Sequence, residues 1–314
     1  MAPVRASTQS VTVRAPAKIN VYLGVGPLRP DGFHDLATVF HALQLSDDVV
    51  AERDEPGRVS VEVVAEPGSG VDVDAVPCDE TNLAHRAAET LRRYAGVECG
   101  VRLRIVKRIP VAGGLAGGSA DAAAALVACD AVWDTGCGRA ELATLGARLG
   151  SDVPFALHGG TALGSGRGEH LAPVMSPSRL HWVLAVAEGG LSTPEVYARL
   201  DRIRAGRPGA APSVPDGLLS ALRRSDVDGV AAHLGNDLQA PACELRPSLR
   251  RVLDTGRELG AVGGVVSGSG PTVAFLASDE AAARDLAADL AESGSCLVAV
   301  PTSGAASGAR VLAH

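Results

Sequence analysis

Apolar residues alternate with polar ones in the first part of the chain, a pattern typical of half-buried strands. Val11 and Val13 form one such run, and Val21 to Val25 form a second after Pro16, so two strands are predicted there. Further alternating runs predict strands over 59–63 and 100–110. Between them the apolar spacing becomes helical over 81–94. The predicted order up to residue 110 is therefore strands, a helix and a strand.

The rest of the chain mixes helical and strand patterns. Helices are predicted over 119–133 and 139–149, the second with Gly150 as its C-cap. Additional helices are predicted over 194–200, 216–223, 247–259 and 281–292, and strands over 181–187, 272–276 and 296–300. The proline and glycine content of 205–215 predicts a mobile surface loop, and the small, polar tail from Pro301 predicts poor order.

Composition places this pattern in a globular protein. The chain has 314 residues, 46% apolar and 21% charged, which suggests two domains, predicted as 1–165 and 166–314. A net charge of −7 argues against a nucleic-acid partner. The six cysteines form no CxxC pair, which indicates neither a disulfide framework nor a zinc site. With no leader-like or membrane-spanning run, we expect a cytoplasmic protein that has no membrane partner.

The 37 glycines and nine aromatic residues stand out in this composition. So few rings predict an aliphatic core. The glycines concentrate in the segment PVAGGLAGGSAD (110–121), between a predicted strand and a predicted helix. There Gly113, Gly114, Gly117 and Gly118 can take positive φ, and the helix N-terminus favours an anion such as a polyphosphate.

Two further residues of the same segment, Ser119 and Asp121, could also take part in binding. Ser119 would cap the helix or offer its hydroxyl to phosphate or magnesium, and Asp121 would suit the helix dipole or hold a metal through water. The segment lacks the lysine of a Walker loop and the spacing of GxGxxG. By itself it is also consistent with a glycine-rich turn before a capped helix.

Three further clusters carry candidate chemistry. In APAKIN, Lys18 and Asn20 are two residues apart on a strand, so they share a sheet face, and the lysine either meets an anion or lies at the surface. In RPDGFH, Phe33 follows a turn beside His34 and is either a stacking platform for a base or a core anchor. In GSDVPF, Asp152 is either a cap or an acid that faces a site. A second glycine segment, SGSGPT (267–272), could approach phosphates or the first loop.

Taken together and in this order, these motifs resemble the GHMP kinase superfamily. The stretches AKINVYLGVGPLRPDGFHDLATVFHAL, TNLAHRAAETLR, GSDVPF and GLSTPEVY are similar to the branch whose members phosphorylate 4-diphosphocytidyl-2-C-methyl-D-erythritol. The resemblance implies an α+β, two-domain GHMP kinase fold. Its N-terminal domain would be like ribosomal protein S5 domain 2, its C-terminal domain would be ferredoxin-like, and the active site would lie between them.

The resemblance also implies roles for individual residues. Lys18 and Asp152 would be the catalytic pair, and no residue is assigned as a metal ligand although Mg²⁺ would accompany ATP. The substrate would be held by Asn20, Phe33, His34 and Thr193. ATP would be bound by Asn82 near the adenosine and by the phosphate loop, namely Pro110, Val111, Ala112, Gly113, Gly114, Leu115, Ala116, Gly117, Gly118, Ser119 and Ala120. Alanine at 112, 116 and 120 departs from the glycines or serines frequent in such loops.

Three alternatives remain at this level. The chain could be a GHMP kinase for another small alcohol, of the homoserine or mevalonate type, or a nucleotide-binding regulator that kept the fold without the chemistry. A metal-dependent hydrolase is disfavoured because the eight histidines include no HExxH. A small-molecule kinase, monomeric or homodimeric, is the leading hypothesis.

Overall fold

The structure is a computed structural model that describes residues 10–111, 113–205 and 211–313. The strands in these ranges are β1 (Val11–Leu28), β2 (His34–Asp54), β3 (Val59–Ala65), β4 (Gly100–Lys107), β5 (Thr161–Ser165), β6 (His170–Pro173), β7 (Leu180–Val186), β8 (Gly235–Asn236), β9 (Gly263–Val266), β10 (Thr272–Ala277), β11 (Val298–Gly304) and β12 (Arg310–Val311). The helices are α1 (Leu83–Ala95), α2 (Gly117–Trp133), α3 (Arg139–Ala147), α4 (Val153–His158), α5 (Thr193–Arg204), α6 (Asp216–Arg224), α7 (Val227–Ala231), α8 (Gln239–Leu245), α9 (Ser248–Glu258) and α10 (Glu280–Glu292).

The strands form two groups that meet at one point. In the first, β1 pairs antiparallel with β2, β2 pairs with β4 and β5, and β4 pairs parallel with β3. In the second, β7 lies between β10 and β11, and β9 pairs with β10. Gly304 of β11 pairs with Leu43 of β2 and joins the groups. Helices pack on both groups, which gives the α+β architecture.

The strand β1 is continuous, so the prediction of two strands separated at Pro16 was wrong. Its pairing with β2 shifts register between Pro16 and Lys18 and again between Asn20 and Tyr22. Proline cannot donate a ladder hydrogen bond, and the irregularity that follows it lets pairing resume instead of ending the strand. No shift lies between Lys18 and Asn20, so these two side chains share one face, as their spacing predicts.

Helix α2 occupies the centre of the first group. Its residues from Ala120 to Cys129 are all buried, and the run Ala122 to Ala125 is completely inaccessible. Alanine side chains are short, which lets α1 and the strands β1 and β2 pack closely around this helix. Such burial holds the N-terminus of α2, and the glycine loop before it, in a fixed position.

Most other predicted elements are confirmed within a few residues, but the predicted cap of one helix was wrong. Helix α3 ends at Ala147 with Arg148 as its right-handed C-cap, so Gly150 is not the cap. The reason is that α4 begins almost at once, and Gly150 donates its amide to Gly146 in the short connection. Of the predicted mobile loop 205–215, residues 206–210 lie outside the described residues, and Val214 packs against the core.

The C-terminal tail is ordered where poor order was predicted. Pro301 to Gly304 belong to β11, and β12 pairs with β1 at Val13 and Arg14. Ala306 and Ala309 are buried, and Arg139 donates hydrogen bonds to the carbonyls of Leu157 and Ala309. Small residues pack here because the backbone of the tail approaches α4 closely, a tertiary contact that local composition does not reveal.

The core is mainly aliphatic, as predicted, with a few rings inside it. Two large clusters of alanine, valine, leucine and isoleucine underlie the two groups of strands. The buried rings are Phe40, Trp133, Phe155, Trp182 and Phe275. Phe33 and Tyr94 are exposed, and Tyr22 and Tyr197 are half-buried. No helix in the described part of the chain combines the length and hydropathy that a bilayer span requires.

Candidate active site

A cleft of about 600 Å³ opens among residues from both halves of the chain. Its walls come from β1, the glycine loop, the start of α1, the turn before α4, the start of α5 and the SGSG segment. Residues assigned from the sequence that line it are Lys18, Asn20, Asn82, Pro110, Val111, Gly113, Gly114, Ala116, Gly117, Gly118, Asp152 and Thr193. The fold therefore brings together motifs that are more than 170 residues apart in the chain.

Lys18 is buried on the β1 wall of this cleft. Its Nζ donates to Asn20 Oδ1 at 2.8 Å and lies 3.6 Å from Asp152 Oδ2. Asn20 Nδ2 donates in turn to Thr38 Oγ1 at 2.8 Å, and this hydroxyl donates to the carbonyl of Tyr22 at 2.7 Å. The lysine is thus held in place by a chain of hydrogen bonds, which excludes the alternative of a mobile surface lysine.

Asp152 occupies the N-cap position of α4 without capping it. Its backbone is right-handed helical, and among the described residues its side chain makes no cap hydrogen bond. The carboxylate, about 30% exposed, faces the cleft instead. Of the two alternatives left open by the sequence, the geometry favours an acid that faces a site.

The glycine loop reaches its turn geometry partly without glycine. Of the four predicted glycines only Gly114 has positive φ, at 74°, and the second left-handed position is Ala116, with φ of 58°. The expectation that all four glycines can take positive φ is therefore met at one of them, because Gly117 and Gly118 already belong to α2. Alanine tolerates this conformation at a cost of about 1 kcal/mol.

Helix α2 begins at Gly117, two residues before the prediction, so Ser119 is not its cap. No side chain of the described residues caps this end, which leaves the first amides of α2 directed at the cleft. Leu115 and Ala120 are buried, and Leu115 accepts the Lys18 amide at 3.1 Å. Leu115, Ser119 and Ala120 support the loop from behind without lining the cleft, and Ala112 lies outside the described residues.

The SGSG segment packs directly on this loop. Ser267 Oγ donates to the carbonyl of Gly114 at 3.1 Å, and a Cβ on Gly114 would come within 2.4 Å of the Ser267 carbonyl. A Cβ on Gly268 would lie 3.6 Å from Lys18 Nζ. The segment thus reaches the first glycine loop, one of the two alternatives stated from the sequence, and it also lies close to Lys18.

Asn82 lines the cleft together with Val76 and Pro77. Its Oδ1 caps α1 by accepting from the amide of Ala84 at 2.8 Å, and its Nδ2 donates to the carbonyl of Pro77 at 2.7 Å. Each polar atom thus makes one hydrogen bond within the wall, and these bonds fix the side chain in place. The apolar neighbours suit a flat base.

Neither Phe33 nor His34 lines the cleft. Phe33 lies at its rim, and His34 lies behind its wall. Phe33 is 50% exposed, and the guanidinium of Arg167, which does line the cleft, lies 4.8 Å from its ring centroid. His34 is buried, with Nε2 2.9 Å from Asp201 Oδ1. Its ring packs on Tyr197 at a centroid distance of 5.1 Å.

Tyr197 is a cleft residue that the sequence assignment missed. It lines the wall near Asp152, and burial together with the charge of this aspartate raises its pKa to about 12. The signal that could have found it is the scarcity of aromatic residues, since Tyr197 is one of only nine in the chain. Thr193, at the start of the same helix, exchanges a hydrogen bond with Ser269 of the SGSG segment at 2.8 Å.

A buried charge cluster lies beneath the glycine loop. Lys107 Nζ donates to Asp47 and, at 2.8 Å, to Asp121 Oδ2. Burial raises the pKa of Asp121 to about 7, although Lys107 opposes this shift. Burial lowers the pKa of Lys107, but Asp121 and Asp47 together raise it above its ordinary value. Among the described residues no group of three or more histidines, cysteines or acids is arranged to hold a metal ion.

Known proteins that resemble this chain belong to one family of kinases. Residues 82–160 match the model of the GHMP kinases N terminal domain, and residues 218–296 match that of the GHMP kinases C terminal. A protein of Leifsonia xyli subsp. xyli named 4-diphosphocytidyl-2-C-methyl-D-erythritol kinase is 53% identical, with 96% of this chain and 99% of that protein covered. A protein of the same name from Nocardia farcinica is 54% identical, with 96% of each covered.

The chain belongs to the 4-diphosphocytidyl-2-C-methyl-D-erythritol kinase family of GHMP kinases. It is a small-molecule kinase that uses ATP. A crystal structure of a 4-(cytidine 5'-diphospho)-2C-methyl-D-erythritol kinase superimposes with a TM-score of 0.75 at 33% identity, covering 93% of this kinase and 98% of that chain. Homoserine kinase from Cytophaga hutchinsonii shares the fold, with a TM-score of 0.73 at 18% identity over 99% of this chain and all of that one. The predicted α+β GHMP kinase fold is confirmed.

Proposed function

We propose that this kinase transfers the γ-phosphoryl group of ATP to the C2 hydroxyl of 4-diphosphocytidyl-2-C-methyl-D-erythritol, here called the cytidine substrate. The products would be the 2-phosphate and ADP, in the methylerythritol phosphate route to isoprenoid precursors. The observation that carries the proposal is the Lys18 and Asp152 pair, with Nζ and Oδ2 3.6 Å apart, in the same cleft as the uncapped N-terminus of α2. Family membership supports the identity of the substrate.

Asp152 would orient the attacking hydroxyl and accept its proton. A general base of this kind contributes about 10²- to 10⁴-fold to a rate. Lys18, fixed by Asn20, would stabilise negative charge on the transferred group, because phosphoryl transfer depends mainly on positioning and electrostatics. Asn20 Oδ1 is engaged by Lys18, so any contact from Asn20 to the substrate would use its amide nitrogen.

The loop from Pro110 to Ala120 would surround the ATP phosphates, with the uncapped amides of α2 pointing at them. The apolar wall beside Asn82 would hold the adenosine. Mg²⁺ would bind mainly to phosphate oxygens and water, since the cleft offers two carboxylates and that of Asp121 is bonded to Lys107. When bound, the ion would neutralise charge on the phosphates.

The cytidine substrate would enter from the rim formed by Phe33 and Arg167. Its diphosphate requires a cation, and the Arg167 guanidinium both lines the cleft and stacks on Phe33. Tyr197, supported from behind by His34, offers a ring to the base. Thr193, which shares a hydrogen bond with Ser269, would contact the methylerythritol part of the substrate.

We place the boundary between the two domains near residue 165, and we propose a cytoplasmic enzyme, monomeric or homodimeric, without nucleic-acid or membrane partners.

The deciding experiment offers the purified kinase three alcohols, namely the cytidine substrate, mevalonate and homoserine, each with ATP and Mg²⁺. ADP release is followed, and the site of phosphorylation is assigned by ³¹P NMR. We expect turnover only with the cytidine substrate and phosphate on C2. Turnover with mevalonate or homoserine alone would refute the proposal in favour of another GHMP activity, and no turnover with any of them would favour a non-catalytic regulator.

A further inference from the structure

We propose that Lys107 is a positioning residue for the phosphate loop, which it fixes and keeps favourable for anions by bridging Asp47 and Asp121 beneath the first turns of α2. This inference rests on the proposed placement of the ATP phosphates at that loop. No sequence motif assigned a role to Lys107 or Asp47, and the mechanism above uses neither residue.

The three residues come from three separate elements. Asp47 belongs to β2, Lys107 is the last residue of β4, and Asp121 lies in the second turn of α2. All three are almost completely buried, with side-chain exposures of 0%, 3% and 4%. A charged lysine is costly to bury unless its charge is balanced, and here two carboxylates contact the same ammonium group. The cluster therefore ties helix and strands together at one point.

Asp47 determines how the chain enters the loop. Its Oδ1 accepts the backbone amides of Arg108 at 2.6 Å and Ile109 at 2.9 Å, and its other oxygen accepts from Lys107. Arg108 and Ile109 are the two residues that immediately precede Pro110. The backbone leading into the loop is thus held by one side chain.

Lys107 and Asp121 determine where the loop ends. Lys107 Nζ lies directly under Gly117, where a Cβ would come within 3.2 Å of it. Asp121 Oδ2 accepts from this ammonium group, while its Oδ1 is buried with no partner among the described residues. Both residues reach the wall of the cleft. Their bond fixes the helix terminus whose amides would face the phosphates.

The charges of the cluster matter as well as its geometry. Two carboxylates beneath an anion site would repel phosphate, and Lys107 offsets this effect from within bonding distance. Loss of the ammonium group should therefore loosen the loop and increase the repulsion of phosphate. Both changes should weaken the binding of ATP. The cytidine substrate, which we propose to bind beside Phe33 and Arg167, should be little affected.

The test measures the dissociation constants of a non-hydrolysable ATP analogue and of the cytidine substrate separately, by calorimetry on the full-length kinase. For Lys107→Met we expect the constant for the analogue to rise at least tenfold and that for the cytidine substrate to change less than twofold. Asp121→Ala should raise the dissociation constant of the analogue about five- to tenfold. Asp121→Asn, which keeps an acceptor for Lys107, should recover binding to within about threefold.

A matched control is Asp48→Asn, which alters a paired acid next to Asp47 that contacts Arg14 and Arg108 outside the cleft. It should leave both constants unchanged. Because Lys107→Met leaves two buried carboxylates, the triple variant with Asp47→Asn and Asp121→Asn provides a form without unbalanced charge. We expect it to fold and still to bind the analogue at least tenfold more weakly.

Two results would overturn the inference: an unchanged constant for the analogue in folded Lys107→Met or in the triple variant, or an equal loss for both ligands. Failure of the loop assignment itself gives a different signature. Gly118→Glu puts a negative charge on the exposed face of the first turn, where there is space for a side chain. If this variant binds the analogue normally, the phosphates lie elsewhere, and the proposed function of the loop fails rather than the role of Lys107.

Discussion

Lys18 Nζ lies 3.6 Å from Asp152 Oδ2, although the two residues are 134 positions apart in the chain. The lysine is fixed by Asn20, while the carboxylate remains 30% exposed in the cleft. One partner is therefore rigid and the other is accessible to a substrate hydroxyl, an arrangement suited to phosphoryl transfer.

Asp152→Asn should abolish most turnover while ATP binding survives. The amide keeps the shape of the side chain but cannot accept the proton, so we expect kcat to fall by about 10²- to 10⁴-fold. Rapid-quench assays and calorimetry with the ATP analogue measure the two quantities. Asp254→Asn, in an exposed ion pair with Arg257, is the matched control and should behave as wild type. A turnover number within threefold of wild type would contradict the role of Asp152.

Arg167→Gln should raise KM for the cytidine substrate about tenfold with KM for ATP unchanged. The guanidinium is a cation that lines the cleft beside Phe33, where we propose that the cytidine substrate enters, so its loss should remove a contact to this substrate only. Steady-state kinetics with each substrate varied in turn give the two values. Arg102→Gln on the exposed side of β4 is the control. An equal rise in both KM values would contradict the assignment.

Gly114→Ala should disturb the contact between the two glycine segments. The new Cβ would lie 2.4 Å from the Ser267 carbonyl at a φ of 74°, and the left-handed backbone alone costs about 1–2 kcal/mol. We expect a lower free energy of unfolding, measured with urea, and weaker ATP binding. Gly190→Ala, where a Cβ meets open space, should leave stability unchanged. A fully stable Gly114→Ala variant would show that the segments do not pack as described.

Ala116→Gly should stabilise the protein. Ala116 has a φ of 58°, a conformation that glycine adopts without the Cβ penalty, and the expected gain is about 0.5–1 kcal/mol. Ala131→Gly, in the exposed part of the same helix, should instead lose about 1 kcal/mol. Urea denaturation of both variants tests the opposite signs. Equal losses in the two would mean that Ala116 is not left-handed in solution.

Asp121 should make stability fall as pH rises toward 8. Burial raises its folded pKa from 3.8 to about 7, so between these values the folded state holds a proton that the unfolded state has lost. The stability that this group contributes is present at low pH and is lost as pH rises through about 7. The wild type should lose about 2–4 kcal/mol of unfolding free energy relative to Asp121→Asn between pH 5 and pH 8, because asparagine does not titrate. A difference independent of pH would contradict this pKa.

The sequence by itself determined most of the elements and nearly all of the motifs. Periodicity gave β3, β4, α2, α10 and β10 to within a few residues, since these elements pack an apolar face against the core or are buried throughout. The spacing of Lys18 and Asn20 correctly predicted a shared face. The glycine loop before a helix was also evident, because glycine and a helix terminus are local features.

Only the tertiary structure decided how these parts combine. Lys107 and Asp47 are single residues in ordinary strand sequences, and their importance arises from a buried contact with Asp121 that no local pattern encodes. The ordered tail, the position of Tyr197 on the cleft wall beside His34 and the left-handed Ala116 likewise depend on contacts between distant segments. Local periodicity reports which face of an element is apolar, whereas partners across the fold are chosen by packing and charge balance in three dimensions.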